Sequence, residues 1–363
     1  MSKPIKKLSA VTAGLLILAL SGPTPRYAAA NEPYLSVRTG LRCSQCHVNR
    51  SGGGGRNDFG SVYAQTRLSM RQYAFQGRSI NSFLAVGADL RVTAEATSDE
   101  AQPNSAVRVD EANLYLEARV VPDVLTVYLD QTVGPTSAST REVFGLLDLP
   151  AEGWFKGGKF LVPYGLRLPD DEAFIRQRTG FTYSTPDLGF EVGMQPGPLS
   201  VIASLTNGTT GGSENDDGKQ IAGTAALIFR SFRIGASAAH NDASTATRSA
   251  LGGFAGVNLG RLTLLGEVDY ISDSFDSEPD LDQLAAYVEG DFLVIRGLNV
   301  RASYGFLDPD RDIGENARTR LRFGVELFPI PFLRVAATYT VLQDIPQATT
   351  DANRFAIQLH GFF

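Results

Sequence analysis

Residues 318–327 read Arg-Thr-Arg-Leu-Arg-Phe-Gly-Val-Glu-Leu. In an extended chain Leu321, Phe323, Val325 and Leu327 share one face, while Arg318, Arg320, Arg322 and Glu326 share the other. Side chains alternate across a strand with a period of two, so this segment is apolar on one side and charged on the other. Such a strand suits a boundary between lipid and water. The last segment repeats the pattern, with Phe355, Ile357, Leu359 and Phe363 opposite Arg354, Gln358 and His360.

Outward from these two segments the same alternation recurs from residue 82 to the C-terminus. Sixteen segments carry it, near 83–97, 106–120, 123–133, 140–149, 154–166, 186–194, 198–206, 219–229, 231–240, 248–259, 261–272, 283–294, 297–307, 318–328, 332–343 and 352–363. The connections alternate in length. Val121-Pro122, Pro196-Gly197, Ser231, Gly260 and Pro329–Pro331 are short; 167–185, 207–218, 241–247, 273–282 and 308–317 are long. Short periplasmic turns, longer extracellular loops and an even strand count are how bacterial outer-membrane barrels are built. The predicted fold is all-β, a 16-stranded antiparallel transmembrane β-barrel of porin type over residues 81–363. Trp154, Phe155, Phe229, Phe232, Phe292, Phe328 and Phe332 flank the short turns and suggest a periplasmic aromatic girdle. A barrel of this size has an aqueous lumen unless something fills it.

Composition agrees. The 363 residues are 43% apolar, and no run of 18 apolar residues follows the N-terminus, so a transmembrane helix is not expected there. The net charge of −6 argues against nucleic acid as a partner. Residues 1–30 read as a secretory signal: Lys3, Lys6 and Lys7, then apolar Ala10–Leu20, then Ala28-Ala29-Ala30 as a cleavage site.

Between signal and barrel, residues 31–80 form a short segment containing Cys43-Ser44-Gln45-Cys46-His47. C-x-x-C-H is the attachment signature of haem c. Two thiols reach the two vinyl groups on one edge of the porphyrin, and the histidine that follows supplies a ligand to the iron. A redox disulfide should follow a strand in a βαβ unit, which is absent from this pattern. A zinc site lacks ligands, because the chain has two cysteines and three histidines in all. One covalent haem c is therefore expected, with Cys43 and Cys46 binding it and His47 as the proximal iron ligand. Gly52–Gly55 offers a flexible turn, and Asn57–Met70 reads as a short helix with Phe59, Val62, Tyr63 and Thr66 on the face that would cover the haem. For the distal position the candidates are Met70, close in sequence, and His360, which strand parity places in the lumen near the periplasmic end. Met194 is also available, His240 is a poorer candidate because it should lie at the extracellular end of its strand, and a water-bound or open position also remains.

The lumen is expected to be polar. Arg301, Arg318, Arg320, Arg322, Arg334 and Arg354 face inward on the last strands, and Glu111, Glu117, Glu267, Asp269, Glu289 and Asp291 face inward elsewhere. The resulting transverse field could steer ions or simply keep a pore wall solvated. The long loops are acidic, at Asp170-Asp171-Glu172, Glu214–Asp217, Asp273–Asp282 and Asp308–Asp312. On the outside, such loops would concentrate cations.

With Arg38-Thr39-Gly40 leading into the haem motif, and Asn57-Asp58-Phe59-Gly60 following it, the chain resembles the fused outer-membrane monohaem cytochrome–porins associated with extracellular electron transfer, including iron oxidation. The motif similarity covers residues 38–60; the similarity in architecture covers the rest. The resemblance implies haem on Cys43 and Cys46 with His47 on the iron. It also implies electron transfer across the outer membrane of a Gram-negative bacterium, with a periplasmic cytochrome or other carrier as partner and extracellular ferrous iron as a candidate. One haem cannot span a hydrocarbon core about 30 Å thick, so it must sit inside the pore or be met by a partner. Two rivals stand beside this expectation. One is a solute porin whose haem senses redox state or anchors a partner. The other is a haem enzyme acting on a small oxidant such as peroxide.

Overall fold

The computed structural model describes residues 32–73, 78–99, 104–134, 138–214, 216–344 and 352–363. The expected signal at 1–30 lies outside the described residues. Sixteen strands close into one barrel: β1 (Leu84–Asp99), β2 (Asn104–Val121), β3 (Leu125–Gly134), β4 (Ser139–Leu149), β5 (Gly153–Phe160), β6 (Asp187–Met194), β7 (Leu199–Thr206), β8 (Gln220–Ile228), β9 (Phe232–Ala243), β10 (Ala246–Leu259), β11 (Leu262–Phe275), β12 (Leu281–Ile295), β13 (Leu298–Asp308), β14 (Arg318–Leu327), β15 (Leu333–Asp344) and β16 (Ala352–Phe362). Each pairs antiparallel with its neighbour in sequence, and β1 closes on β16 with Arg91 opposite His360. Closure leaves no unpaired edge, which a sheet in lipid requires.

Burial is inverted relative to a soluble protein. On β14 the polar Arg320 and Glu326 are buried toward the lumen, whereas Leu321, Phe323 and Val325 are exposed outward. Phe155, Phe229, Phe232 and Phe292 point outward near the short turns, as a girdle requires. Trp154 and Phe328 do not. They are buried, and Trp154 donates its indole N–H to Glu191 at 2.8 Å. Strand parity forces this, because adjacent Trp154 and Phe155 must face opposite sides. Among the described residues no helix is long and apolar enough to cross a membrane.

Two inserts fill the lumen. The first is the N-terminal segment, with α1 (Pro33–Thr39), α2 (Cys43–Cys46) and α3 (Asp58–Tyr63), which runs on into a π-helical turn at Ala64–Leu68. Tyr34 and Val37 of α1 are almost wholly buried in a cluster with Val162, Tyr164, Phe254 and Leu265, a burial typically worth about 1.5–3 kcal/mol per side chain. Polar anchors fix the helix. Arg38 donates to Asn299 at 2.8 Å, Tyr34 to Glu326, and Glu32 pairs with Arg301 at 2.7 Å and Arg334 at 3.2 Å.

The second insert corrects the expected strand at 154–166. β5 ends at Phe160, and Leu161–Pro186 leaves the wall, turns inward and forms α4 (Phe174–Thr179). Leu161, Leu166, Leu168 and Ile175 are buried there. The Asp170-Asp171-Glu172 triplet therefore does not decorate an outer loop. Asp170 pairs with Arg320 and Arg322, each at 2.6 Å, and Glu172 pairs with Arg354 at 2.8 Å. The inward arginines found in the sequence are thus largely neutralised by carboxylates of the inserts. Glu214, Asp276, Glu278 and Asp280 remain exposed on long connections.

Candidate functional site

The Cys43–Cys46 turn is short, and its two cysteines stand three residues apart on one side of it. Both are free thiols and half-buried. Backbone bonds close the segment around them: His47 N–H donates to Cys43 at 3.0 Å, Asn57 N–H to Cys46 at 3.0 Å, and Val48 N–H to Gly55 at 3.1 Å. The Asn57 side chain caps α3 by accepting from Gly60 N–H at 2.9 Å, while its amide donates to the carbonyls of Ser44 and His47. Two glycines allow this compactness. A Cβ on Gly60 would lie 2.1 Å from the Cys46 carbonyl oxygen. Gly54 adopts φ +63°, and a Cβ there would meet the Tyr128 hydroxyl at 2.4 Å. The glycine run, read from the sequence as a flexible turn, lets the loop press against the barrel wall.

That loop is bolted to the short-turn end of the barrel. Ser44 donates to Gln195 at 2.6 Å, Asn49 to Glu142 at 2.6 Å, Lys156 to Asn49 at 2.9 Å and Gly55 N–H to Tyr128 at 2.5 Å. The Cys43–Cys46 turn consequently separates two spaces. Ser44 and Gln45 face an open mouth of about 1060 Å3, lined also by Phe59, Asp148 and Glu152. Cys43, Cys46 and His47 face an inner cavity. The inner cavity is walled by Leu35, Leu41, Tyr63, Leu166, Ile202, Ala226, Ile228 and Phe254, with Arg42, Arg50, Arg56, Arg167 and Arg233 among its polar groups.

The residues fit a haem c. The cavity is mostly apolar with a few polar groups, as small-molecule and cofactor sites are. His47 Nδ1 is buried without a hydrogen-bond partner. Burial, reinforced by the Arg56 guanidinium and opposed by the nearby backbone of Gly54 and Gly55, holds the imidazole down to about 3. The ring is therefore neutral at physiological pH, the form that ligates a metal. Burial, with the neighbouring Cys43, pushes the Cys46 thiol up to about 11.

The other predicted ligands lie elsewhere. Met70 sits at the short-turn rim, where its N–H donates to Phe328 at 2.8 Å. His360 is wholly buried in the lumen, as parity indicated, but its Nε2 is 2.8 Å from Asp89. Neither lines the inner cavity, and among the described residues no methionine and no second histidine does. His240 bonds Ser249 at 2.9 Å, and Met194 is exposed. The α3 prediction is corrected too. Phe59, Val62 and Thr66 are exposed, and the buried face is Gly60, Ser61, Ala64 and Gln65; of the expected face only Tyr63 reaches the cavity. Small residues pack closer to the Cys43–Cys46 turn than large ones could, and this decides which face turns in. The residues that sequence reasoning missed are Pro163–Leu166, hidden within the expected strand at 154–166, and Arg167, placed at the start of the following loop.

No family model and no curated protein matches the chain. Solved structures do. A loop L8 deletion mutant of OmpT, an outer membrane protein of Vibrio cholerae, matches with a TM-score of 0.62 and 16% identity over 77% of this chain and 99% of its own. An anion-selective porin from Comamonas acidovorans matches with a TM-score of 0.61 and 11% identity over 77% and 99%. OmpF of Salmonella typhi, in complex with daunomycin, matches with a TM-score of 0.61 and 13% identity over 77% and 97%. At these identities the likeness is one of fold, and the fold of this chain is a porin-like closed barrel.

Proposed function

We propose that this chain is an outer-membrane barrel that carries one covalent haem c inside its lumen and exchanges electrons between a periplasmic carrier and an extracellular donor or acceptor, with ferrous iron as a candidate. The observation that carries this reading is that Cys43, Cys46 and the neutral His47 face one large apolar cavity within the barrel. Each thiol would add across a vinyl double bond, its sulfur taking one carbon and its hydrogen the other, so attachment needs no external oxidant. His47 would bind the iron, and the haem would supply a one-electron centre. Leu35, Ile202 and Phe254 keep water from that centre, and the barrel wall separates it from lipid. The mouth beside Ser44, Phe59 and Glu152 offers a periplasmic carrier its approach.

A second reading is a solute porin in which haem senses redox state or anchors a partner. The likeness to porins supports it, as does a second cavity between the Leu161–Pro186 insert and the charged wall, lined by Arg91, Asp170, Glu289 and Arg322. One experiment separates the two. The purified full chain is placed in vesicles, its visible spectrum is followed as ferrous iron is added on the loop side, and its conductance is measured in planar bilayers. Haem bands that reduce rapidly, with low conductance, support electron transfer. Bands that reduce only with dithionite, with a stable open pore, support the porin reading. Absence of haem bands sinks both haem roles.

A further inference from the structure

We propose that Arg167 is the cation that receives the propionate carboxylates of the haem, fixing the macrocycle with its carboxylate edge toward the long-loop end of the barrel. This rests on the haem reading above. The geometry comes from the two ends of the inner cavity. At one end stand Cys43, Gln195 and Arg233, beside short turns; at the other stand Pro163–Arg167, which follow β5 at its long-loop end. Thioether bonds hold a haem by its vinyl edge, and the propionates leave from the opposite edge. With the vinyl edge at Cys43 and Cys46, the carboxylates point along the cavity toward Pro163–Arg167.

Arg167 is equipped for them. Its side chain is buried, Nη2 donates to the Val162 carbonyl at 2.8 Å, and Nε is buried with no partner. No carboxylate pairs with it among the described residues. Most other lumen arginines differ: Arg91, Arg141, Arg301 and Arg320 each hold a carboxylate. Arg176 is also buried and bonded only to the Tyr164 and Leu166 carbonyls, but it does not line the cavity. The Tyr183 ring lies 5.8 Å from the Arg167 guanidinium and the buried Glu142 stands within electrostatic range, but neither forms an ion pair with it; a carboxylate fork is the partner whose geometry matches a buried guanidinium. Arg233 and Arg56 also face the cavity without an ion pair, but they stand at the thioether end. Arg233 holds Ser36 and Leu41, and Arg56 rests 4.0 Å over the Phe362 ring.

The test is a spectroelectrochemical titration of the purified, haem-loaded full chain between about pH 5 and 8. A guanidinium beside the propionates keeps them ionised over this range and favours the ferrous state. The wild type is expected to show a potential nearly independent of pH. Arg167→Gln is expected to shift the ferric/ferrous equilibrium about tenfold toward ferric, about 59 mV for one electron, and to make the potential fall with rising pH. Arg167→Lys, which keeps the charge, is expected to restore most of both. An unchanged potential and slope in Arg167→Gln overturns the proposal, as does an Arg167→Lys variant displaced as far as Arg167→Gln, which would make Arg167 only a staple for its loop. Should Arg167→Gln fail to fold, a wild-type potential that depends on pH in this window overturns the proposal by itself. Absence of haem from the wild type is a separate result, and it removes the underlying reading instead.

Discussion

The lumen has two unlike walls. From β11 round to β2 the inward positions are charged and interlocked. Arg301 alone contacts Glu32, Glu289 and Asp291 within 2.9 Å, and Arg91 bridges Asp89 and Glu111. From β7 to β10 most of the corresponding positions are small or apolar, such as Ser200, Ile202, Ala222, Ala226 and Phe254, with Arg233 the charged exception, and the inner cavity lies against them. Both inserts show the same division. Glu32, Asp170 and Glu172 reach into the charged wall, and the Cys43–Cys46 turn opens on the neutral one. The charged wall is the dock that holds the inserts in place. The short side chains of the other wall leave the space of the inner cavity.

The largest expected effect separates the walls completely. Replacing Cys43 and Cys46 with Ala should abolish covalent haem on a denaturing gel and leave barrel folding, read by heat-modifiable mobility, intact. Retention of covalent haem would end the assignment to the neutral wall. Next comes the dock. The Arg320–Asp170 pair is 5% and 8% exposed on its two sides, and breaking a buried pair from one side costs about 3–5 kcal/mol. Arg320→Gln should lower the unfolding midpoint in urea and raise single-channel conductance as Leu161–Pro186 loosens. Wild-type conductance and stability would show that the insert is held by its apolar contacts instead.

A smaller, pH-dependent effect is expected at Asp171. Burial pushes its carboxyl up to about 7. Because the folded value exceeds the unfolded one, the folded state is penalised progressively as pH rises from about 4 to 7, and no further above that. Asp171→Asn should therefore stabilise the barrel at pH 8 and change little at pH 4; equal shifts at both values would remove the titration as the cause. The smallest effects belong to the charged wall and the rim. Met70→Leu and His360→Gln should leave the visible spectrum unchanged, because neither side chain lines the cavity. A spectral change in either would show that the chain rearranges around its cofactor.

Much of the fold was legible because lipid imposes a strict rule on a strand. Leu321, Phe323 and Val325 must all face one way, so the alternation at 318–327 carried over to every strand. Most strand ends fell within a few residues of the expected ones; the connection expected to be long at 241–247 is instead the two-residue turn Ser244-Thr245 between β9 and β10. The exception, β5, is instructive. Leu161–Leu166 is as apolar as a strand, but Val162, Tyr164 and Leu166 meet Tyr34 and Phe254 in the lumen and not lipid, and Leu161 packs against Tyr183. A run of apolar residues cannot tell which of two apolar environments it will find.

The sequence by itself determined the barrel, its strand count and the Cys43–His47 motif, since period-two patterning and a five-residue signature are local. The tertiary structure decided what fills the barrel. Asp170 and Glu172 satisfy their charge equally well in water or against Arg320 and Arg354. Gly60 and Phe59 differ in which can approach the Cys46 carbonyl. His360 could have turned to the cavity or to Asp89. Each of these choices is settled by partners far apart in the chain, brought together only when the wall has closed around the inserts.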